Sequence, residues 1–143
     1  VPVVATFDLE RIIPERLSDD PVDRETLEIH AARYAFAARR VAGKRVLDLA
    51  CGVGYGSAML KAAGAAHVTG VDVSDEAVAY ARAHNAADGI AFVCSDGMTY
   101  APDAAFDVVV SLETIEHVPD ARGFVRRLAG LVAPGGVLVG SVP

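Results

Sequence analysis

The spacing of apolar positions changes period several times along the chain. Between Asp23 and Val41, Leu27, Ala31, Tyr34, Ala38 and Val41 recur at helical intervals, which predicts a helix capped by Asp23 and ended by Gly43. Residues 1–22 precede it with three prolines and mixed charges and read as an irregular lead-in. From residue 45 onward, short apolar runs alternate with helical patterns. Strands are predicted over 45–50, 67–72, 90–95, 106–112 and 137–142. Helices are predicted over 57–63, closed by Gly64, from the cap Ser74 to about 87, and over 121–132 behind the cap Asp120. A loop with Pro102 spans 96–105, and Pro134-Gly135-Gly136 reads as a turn.

The strands are nearly continuous apolar runs, such as Val108-Val109-Val110. Runs of that kind suit a parallel sheet covered by helices on both faces. The expected fold is therefore an α/β doubly wound, mostly parallel sheet with right-handed crossovers. Residues 23–143 form one domain in this reading, and no internal repeat interrupts it.

Composition narrows the classes. With 52% apolar and 22% charged residues, the chain reads as globular rather than disordered. No apolar run approaches the ~20 residues a membrane helix needs, so no membrane partner is expected. Val1-Pro2-Val3-Val4 lacks the basic start of a secretory leader. The net charge of −6 leaves nucleic acid only a local basic patch to bind. Arg39-Arg40 with Lys44-Arg45, and Arg122 with Arg126-Arg127, read instead as solvated faces, so no nucleic-acid partner is expected. Cys51 and Cys94 make neither a metal pair nor a disulfide framework. They read as small buried residues in a reducing cytoplasm.

The chemistry concentrates where the first strand meets a glycine turn: Asp48-Leu49-Ala50-Cys51-Gly52-Val53-Gly54. Glycines there let a ligand approach the backbone at the carboxyl ends of the strands. Such a turn serves NAD, FAD or S-adenosylmethionine alike. The dinucleotide fingerprint would need glycine at position 57, where Ser57 stands. Asp72 closes the second strand and is placed to accept ribose hydroxyls. Asp48 would repel a pyrophosphate but suits an ammonium or sulfonium. After the third strand, Asp96 can accept from an adenine amino group, Gly97 follows it, and Met98 can pack on the ring.

In order along the chain, the glycine turn, Val71-Asp72-Val73, Ser95-Asp96-Gly97, Phe106-Asp107-Val108-Val109-Val110-Ser111-Leu112-Glu113 and Leu131-Val132-Ala133-Pro134-Gly135-Gly136 resemble the motifs of class I, Rossmann-like S-adenosylmethionine-dependent methyltransferases. One departure stands out: Ala50 replaces the usual first glycine. The resemblance implies S-adenosyl-L-methionine as cofactor, with Ala50, Gly52, Gly54, Asp72, Val73, Asp96, Gly97, Met98 and Leu112 around it. Glu10-Arg11-Ile12-Ile13-Pro14 and the 30–37 segment resemble a bacterial subgroup associated with glycosyltransferases and surface polysaccharides. In related enzymes such a helix covers the cofactor's methionine end. Arg33 is suited to pair with its carboxylate, and Tyr34 to pack nearby. Methyl transfer to oxygen or nitrogen of a small molecule or glycan is the expected activity.

Transfer to a hydroxyl calls for a general base. His117 is placed for that role after the fourth strand, beside Glu113. Glu113, Glu116 and His117 also resemble a metal-ligand cluster of small-RNA 2′-O-methyltransferases, and a similar string occurs in ubiquinone-pathway O-methyltransferases. A complete metal site needs a further ligand, and no metal is assigned. The family's sheet has seven strands, and this chain ends after the fifth. A C-terminally incomplete domain is therefore expected, with an open sheet edge for a second copy or another partner. A module that holds the cofactor without turnover is the alternative reading.

Overall fold

The computed structural model describes Pro14 and residues 21–143. The expected lead-in, with its Glu10–Ile13 motif, lies almost wholly outside the described residues. The elements run α1 (Pro21–Ala38), β1 (Arg45–Leu49), α2 (Tyr55–Ala62), β2 (His67–Asp72), α3 (Asp75–His84), β3 (Ile90–Cys94), β4 (Phe106–Leu112), a 3-10 turn (Ile115–His117), α4 (Ala121–Leu131) and β5 (Val132–Ser141).

The five strands form one sheet in the order β3-β2-β1-β4-β5, and every neighbouring pair is parallel. The order reverses between β1 and β4, which is where a doubly wound sheet opens a crevice at its carboxyl ends. Alternation along β1 divides the core. Val46 joins Tyr34, Ala37, Val41, Leu60, Val68, Val108 and Val110 under α1 and α2. Leu47 and Leu49 point the other way and join Phe106, Val109, Phe124 and Leu128 under α4. Phe92 of β3 packs with Val78 and Ala81 of α3. Among the described residues, no helix is long and apolar enough to cross a membrane.

Several boundaries differ from the sequence reading. Helix α1 starts at Pro21, before Asp23, because proline's fixed φ and missing N–H suit a first helical turn. Asp23 then sits inside that turn, where a carboxylate complements the helix dipole, and is not the cap. The helix ends at Ala38. Turn bonds from Arg40 N–H to Ala37 O and from Lys44 N–H to Val41 O carry Val41 into the core instead. Helix α3 stops at His84, because Asn85 leaves the helix and donates its side-chain amide to Val53 O at 2.8 Å.

The largest difference is β5. Pro134-Gly135-Gly136 does not turn the chain before the strand but lies inside it. The pairing shifts from Phe106↔Val132 to Val108↔Val137, so a bulge absorbs the extra residues. Gly136 is needed there, since a Cβ would stand 2.7 Å from Asp107 O. Cys94 is also corrected: it is exposed on the outermost strand, with its thiol donating to Asp75 at 3.0 Å. Cys51 is buried as expected.

Candidate functional site

A cleft of about 1000 Å³ opens at the carboxyl ends of the strands, where β1, β2, β3 and β4 each end in a loop. Its floor is the glycine turn. Ala50 N–H and Cys51 N–H both donate to Val71 O, at 2.8 and 3.0 Å, and dock the turn on β2. The turn coils through left-handed conformations at Ala50 (φ 66°), Gly52 (φ 56°) and Gly54 (φ 87°). Ala50 therefore adopts the backbone of a glycine, at a cost of about 1–2 kcal/mol for its Cβ. A Cβ at Gly52 would meet nothing within 4 Å, so this glycine leaves the cleft open.

Asp72 lies at the end of β2, nearly buried and on the cleft wall. Its two carboxylate oxygens accept from Gly52 N–H and Ser74 N–H, each at 2.9 Å. Ser74 is the cap of α3, accepting from Ala77 N–H at 3.2 Å. The carboxylate is thus fixed between the glycine turn and the helix start. Beyond it, Val73 is 64% exposed and Met98 42% exposed, an apolar pair on the rim beside Asp96 and Gly97. Met98 N–H donates to Asp96 at 2.8 Å and shapes that loop.

Asp48 is corrected by its position. It is fully buried and does not line the cleft, because its side chain points into the layer beneath α1 and α2. There it accepts from Ser57 Oγ at 2.7 Å and from Tyr34 Oη at 3.2 and 3.3 Å. Burial pushes its carboxyl up to about 7, against the pull of those two donors. The Tyr34 phenol is raised well above its ordinary value, first by burial and then by the Asp48 charge. Tyr55, edge-on to Tyr34 at 5.6 Å, is raised to about 12, mainly by burial.

Arg33, expected to pair with the cofactor's carboxylate, stands beside a carboxylate of the chain itself. It does not line the cleft, and its Nε lies 3.2 Å from Glu113 Oε1. The same oxygen accepts from Ser141 Oγ at 2.8 Å, so α1, β4 and β5 meet at this carboxylate. Glu113 has a left-handed backbone (φ 52°) and faces the cleft. His117 also faces the cleft, about half exposed, with Nε2 3.6 Å from Glu116. Glu113 and Glu116 therefore serve different partners. Among the described residues, no three His, Cys, Asp or Glu side chains are grouped to hold a metal ion.

The cleft gathers Ala50, Gly52, Asp72, Val73, Asp96, Gly97, Met98, Leu112, Glu113 and His117, and leaves Arg33, Asp48 and Gly54 outside. Gly54 serves packing: a Cβ there would lie 2.7 Å from the Phe92 ring. The sequence reading set the α1 helix over the cofactor's methionine end with Tyr34 nearby, and did not single out Thr26, His30, Tyr55 or Phe124. Thr26, His30 and Tyr34 of α1 line the cleft, and Tyr55 and Phe124 join them. The periodicity of α1 carried a further signal for Tyr34, since a tyrosine on a buried stripe needs a partner for its hydroxyl. The His30 imidazole is lowered from its ordinary value by burial and by Arg33, with Glu113 opposing.

Comparison with known proteins agrees with this geometry. Residues 47–140 match the family model described as a methyltransferase domain. The ubiquinone biosynthesis O-methyltransferase of Aromatoleum aromaticum is 44% identical over 100 residues, covering 67% of this chain and 42% of that protein. An S-adenosylmethionine-dependent methyltransferase from Mesorhizobium loti superposes with a TM-score of 0.69 at 30% identity, over 79% of this chain and 54% of that one. Magnesium protoporphyrin IX methyltransferase from Synechocystis, with bound S-adenosylmethionine, superposes with a TM-score of 0.74 at 26% identity, over 90% and 66%. The chain spans less than half the length of the curated relatives it matches.

Proposed function

Because the chain belongs to the class I S-adenosylmethionine-dependent methyltransferase family, we propose that its cleft binds S-adenosylmethionine and that the protein transfers the methyl group to a hydroxyl of a small molecule. The observation that carries this reading is Asp72, a carboxylate on the cleft wall held between the Gly52 and Ser74 amides. The residues fit the cofactor: the open space above Gly52 is a cradle that a Cβ would enter, and an acidic group stands beside it for two ribose hydroxyls.

When bound, the cofactor supplies an electrophilic methyl on a sulfonium sulfur. The chain's own residues supply position and dryness. Asp72 would hold the ribose, Asp96 would accept from the adenine amino group, and Val73 and Met98 would offer the ring an apolar surface. Leu112 and the roof of α1 exclude water. Alignment of reactants can supply several kcal/mol, up to about 7–11 in favourable cases. His117 holds the acceptor hydroxyl and takes its proton, and Glu116 stabilises the imidazolium that forms.

The relatives named O-methyltransferases favour oxygen as the accepting atom. A glycan hydroxyl belongs to the same chemistry, but its motif in the lead-in lies outside the described residues.

Calorimetric titration with S-adenosylhomocysteine tests the reading. Saturable binding is expected, weakened at least tenfold by Asp72→Ala, the scale for losing hydrogen bonds to a charged group. Equal binding by both proteins, or displacement by NAD, would overturn it. His117→Ala is expected to bind the cofactor normally and to lose about 10²–10⁴-fold in turnover of a hydroxyl acceptor.

A further inference from the structure

Tyr34 reaches from α1 to Asp48, a fully buried carboxylate outside the cleft lining. Its ring lies in a socket over Gly56, where a Cβ would stand 2.0 Å from the ring. Its edge meets Tyr55, and its hydroxyl donates to Asp48. Ser57, in the first turn of α2, donates to the same carboxylate. The buried cluster therefore ties together the end of β1, the start of α2 and the middle of α1. Those three elements frame the cleft: the glycine turn joins β1 to α2, and α1 supplies Thr26, His30 and Tyr34 to its wall.

We propose that Tyr34 is a positioning residue that latches the α1 roof onto the glycine turn, and that Asp48, anchored by Ser57, sets cofactor affinity through this latch without touching the cofactor. The inference rests on the cofactor reading above. Asp48 is fully buried, so its influence on a ligand must pass through its neighbours. Among the described residues no cation pairs with it, and its partners are two hydroxyls.

Hydroxyls bind an ionised carboxylate more strongly than a neutral one. The latch therefore tightens as Asp48 loses its proton, near neutral pH because burial pushes the carboxyl to about 7. The other titratable groups facing the cluster are Tyr55 from α2, Cys51 from the glycine turn, Asp72 at the end of β2 and, against Tyr55, Arg33 of α1. Tyr55 holds its proton across this range, because its phenol is raised to about 12.

Tyr34→Phe keeps the ring in its socket and removes the donor. The test is S-adenosylhomocysteine titration between about pH 6 and about pH 8.5, with hydrogen exchange of the α1 amides followed in parallel. Tyr34→Phe is expected to bind about tenfold more weakly above neutral pH and to approach wild type at the acid end, with faster exchange in α1. In an Asp48→Asn background the effect of Tyr34→Phe is expected to lose its pH dependence. Should Tyr34→Phe fail to fold, Ser57→Ala removes the other donor and carries the same expectation. Wild-type affinity in Tyr34→Phe at every pH, or a loss that is the same at every pH, would overturn the latch. A folded wild type that binds no S-adenosylhomocysteine would overturn the cofactor reading itself, and the latch with it.

Discussion

The Arg33 guanidinium and the Glu113 carboxylate, 3.2 Å apart, are partners of each other across the gap between α1 and the end of β4. Glu113 makes this contact from a left-handed backbone, unusual for a residue with a Cβ. The strain is separable from the contact. Glu113→Ala and Glu113→Gly both lose the ion pair and the Ser141 bond, but only glycine relieves the backbone. Glu113→Gly is expected to be the more stable of the two by about 0.5–1 kcal/mol, read from denaturation midpoints. The reverse order would mean that the left-handed geometry carries no cost here.

Two glycines of the turn, Gly54 outside the cleft and Gly52 on its floor, are expected to fail in different ways. Gly54→Ala sets a left-handed alanine against the Phe92 ring and Ala81 Cβ, at 2.7 and 2.8 Å. A loss of about 2–4 kcal/mol in stability should follow, from overpacking and strain together. Gly52→Ala has the same kind of backbone strain but open space around its Cβ. It should cost about 1–2 kcal/mol in stability, while its methyl intrudes on the cleft and weakens S-adenosylhomocysteine binding. A thermal melt and a titration on each variant separate the two effects.

Asp48 should leave a mark on stability itself. Its folded-state carboxyl is raised to about 7, above its unfolded value near 3.8. Between those values the folded protein binds the extra proton, so stability falls as pH rises through this window. Asp48→Asn removes that slope. The variant is expected to gain on wild type steadily from about pH 4 to about pH 7 in thermal melts. His30, lowered by burial, contributes the opposite slope below its ordinary value, and it is common to both proteins. A difference between the two melts that is flat in pH would place the Asp48 titration elsewhere.

Much of this architecture is legible in the chain because the central strands β1, β2 and β4 are buried on both faces. Val108-Val109-Val110 and Val46-Leu47 admit few other readings, and β4 falls on the residues expected of it. Strand β5 escaped because Pro134-Gly135-Gly136 carries the chemistry of a turn. Only the pairing with β4 shows that a bulge takes up those residues. The cleft floor was legible for a similar local reason. Gly52 and Asp72 act through backbone geometry that neighbouring residues encode. Asp48 was misplaced because its surroundings come from afar: Tyr34 lies 14 residues before it and Ser57 nine after, and neither spacing advertises a shared cluster. Within the α1 roof, His30 and Thr26 escaped on the same ground, since they reach the cleft only once α1 has packed across the sheet.

The bonds from Gly52 and Ser74 to Asp72 have a thermodynamic consequence. One carboxylate bridges two loops, so a ligand that engages it acts on both at once. Any free energy by which occupancy steadies those loops is returned, by reciprocity, as affinity when the loops are steadied by other means. A substitution at the Ser74 cap, which does not line the cleft, is thus expected to alter ligand affinity at a distance. Replacing Asp72 is expected to uncouple the two segments as well as to remove the proposed ligand contact.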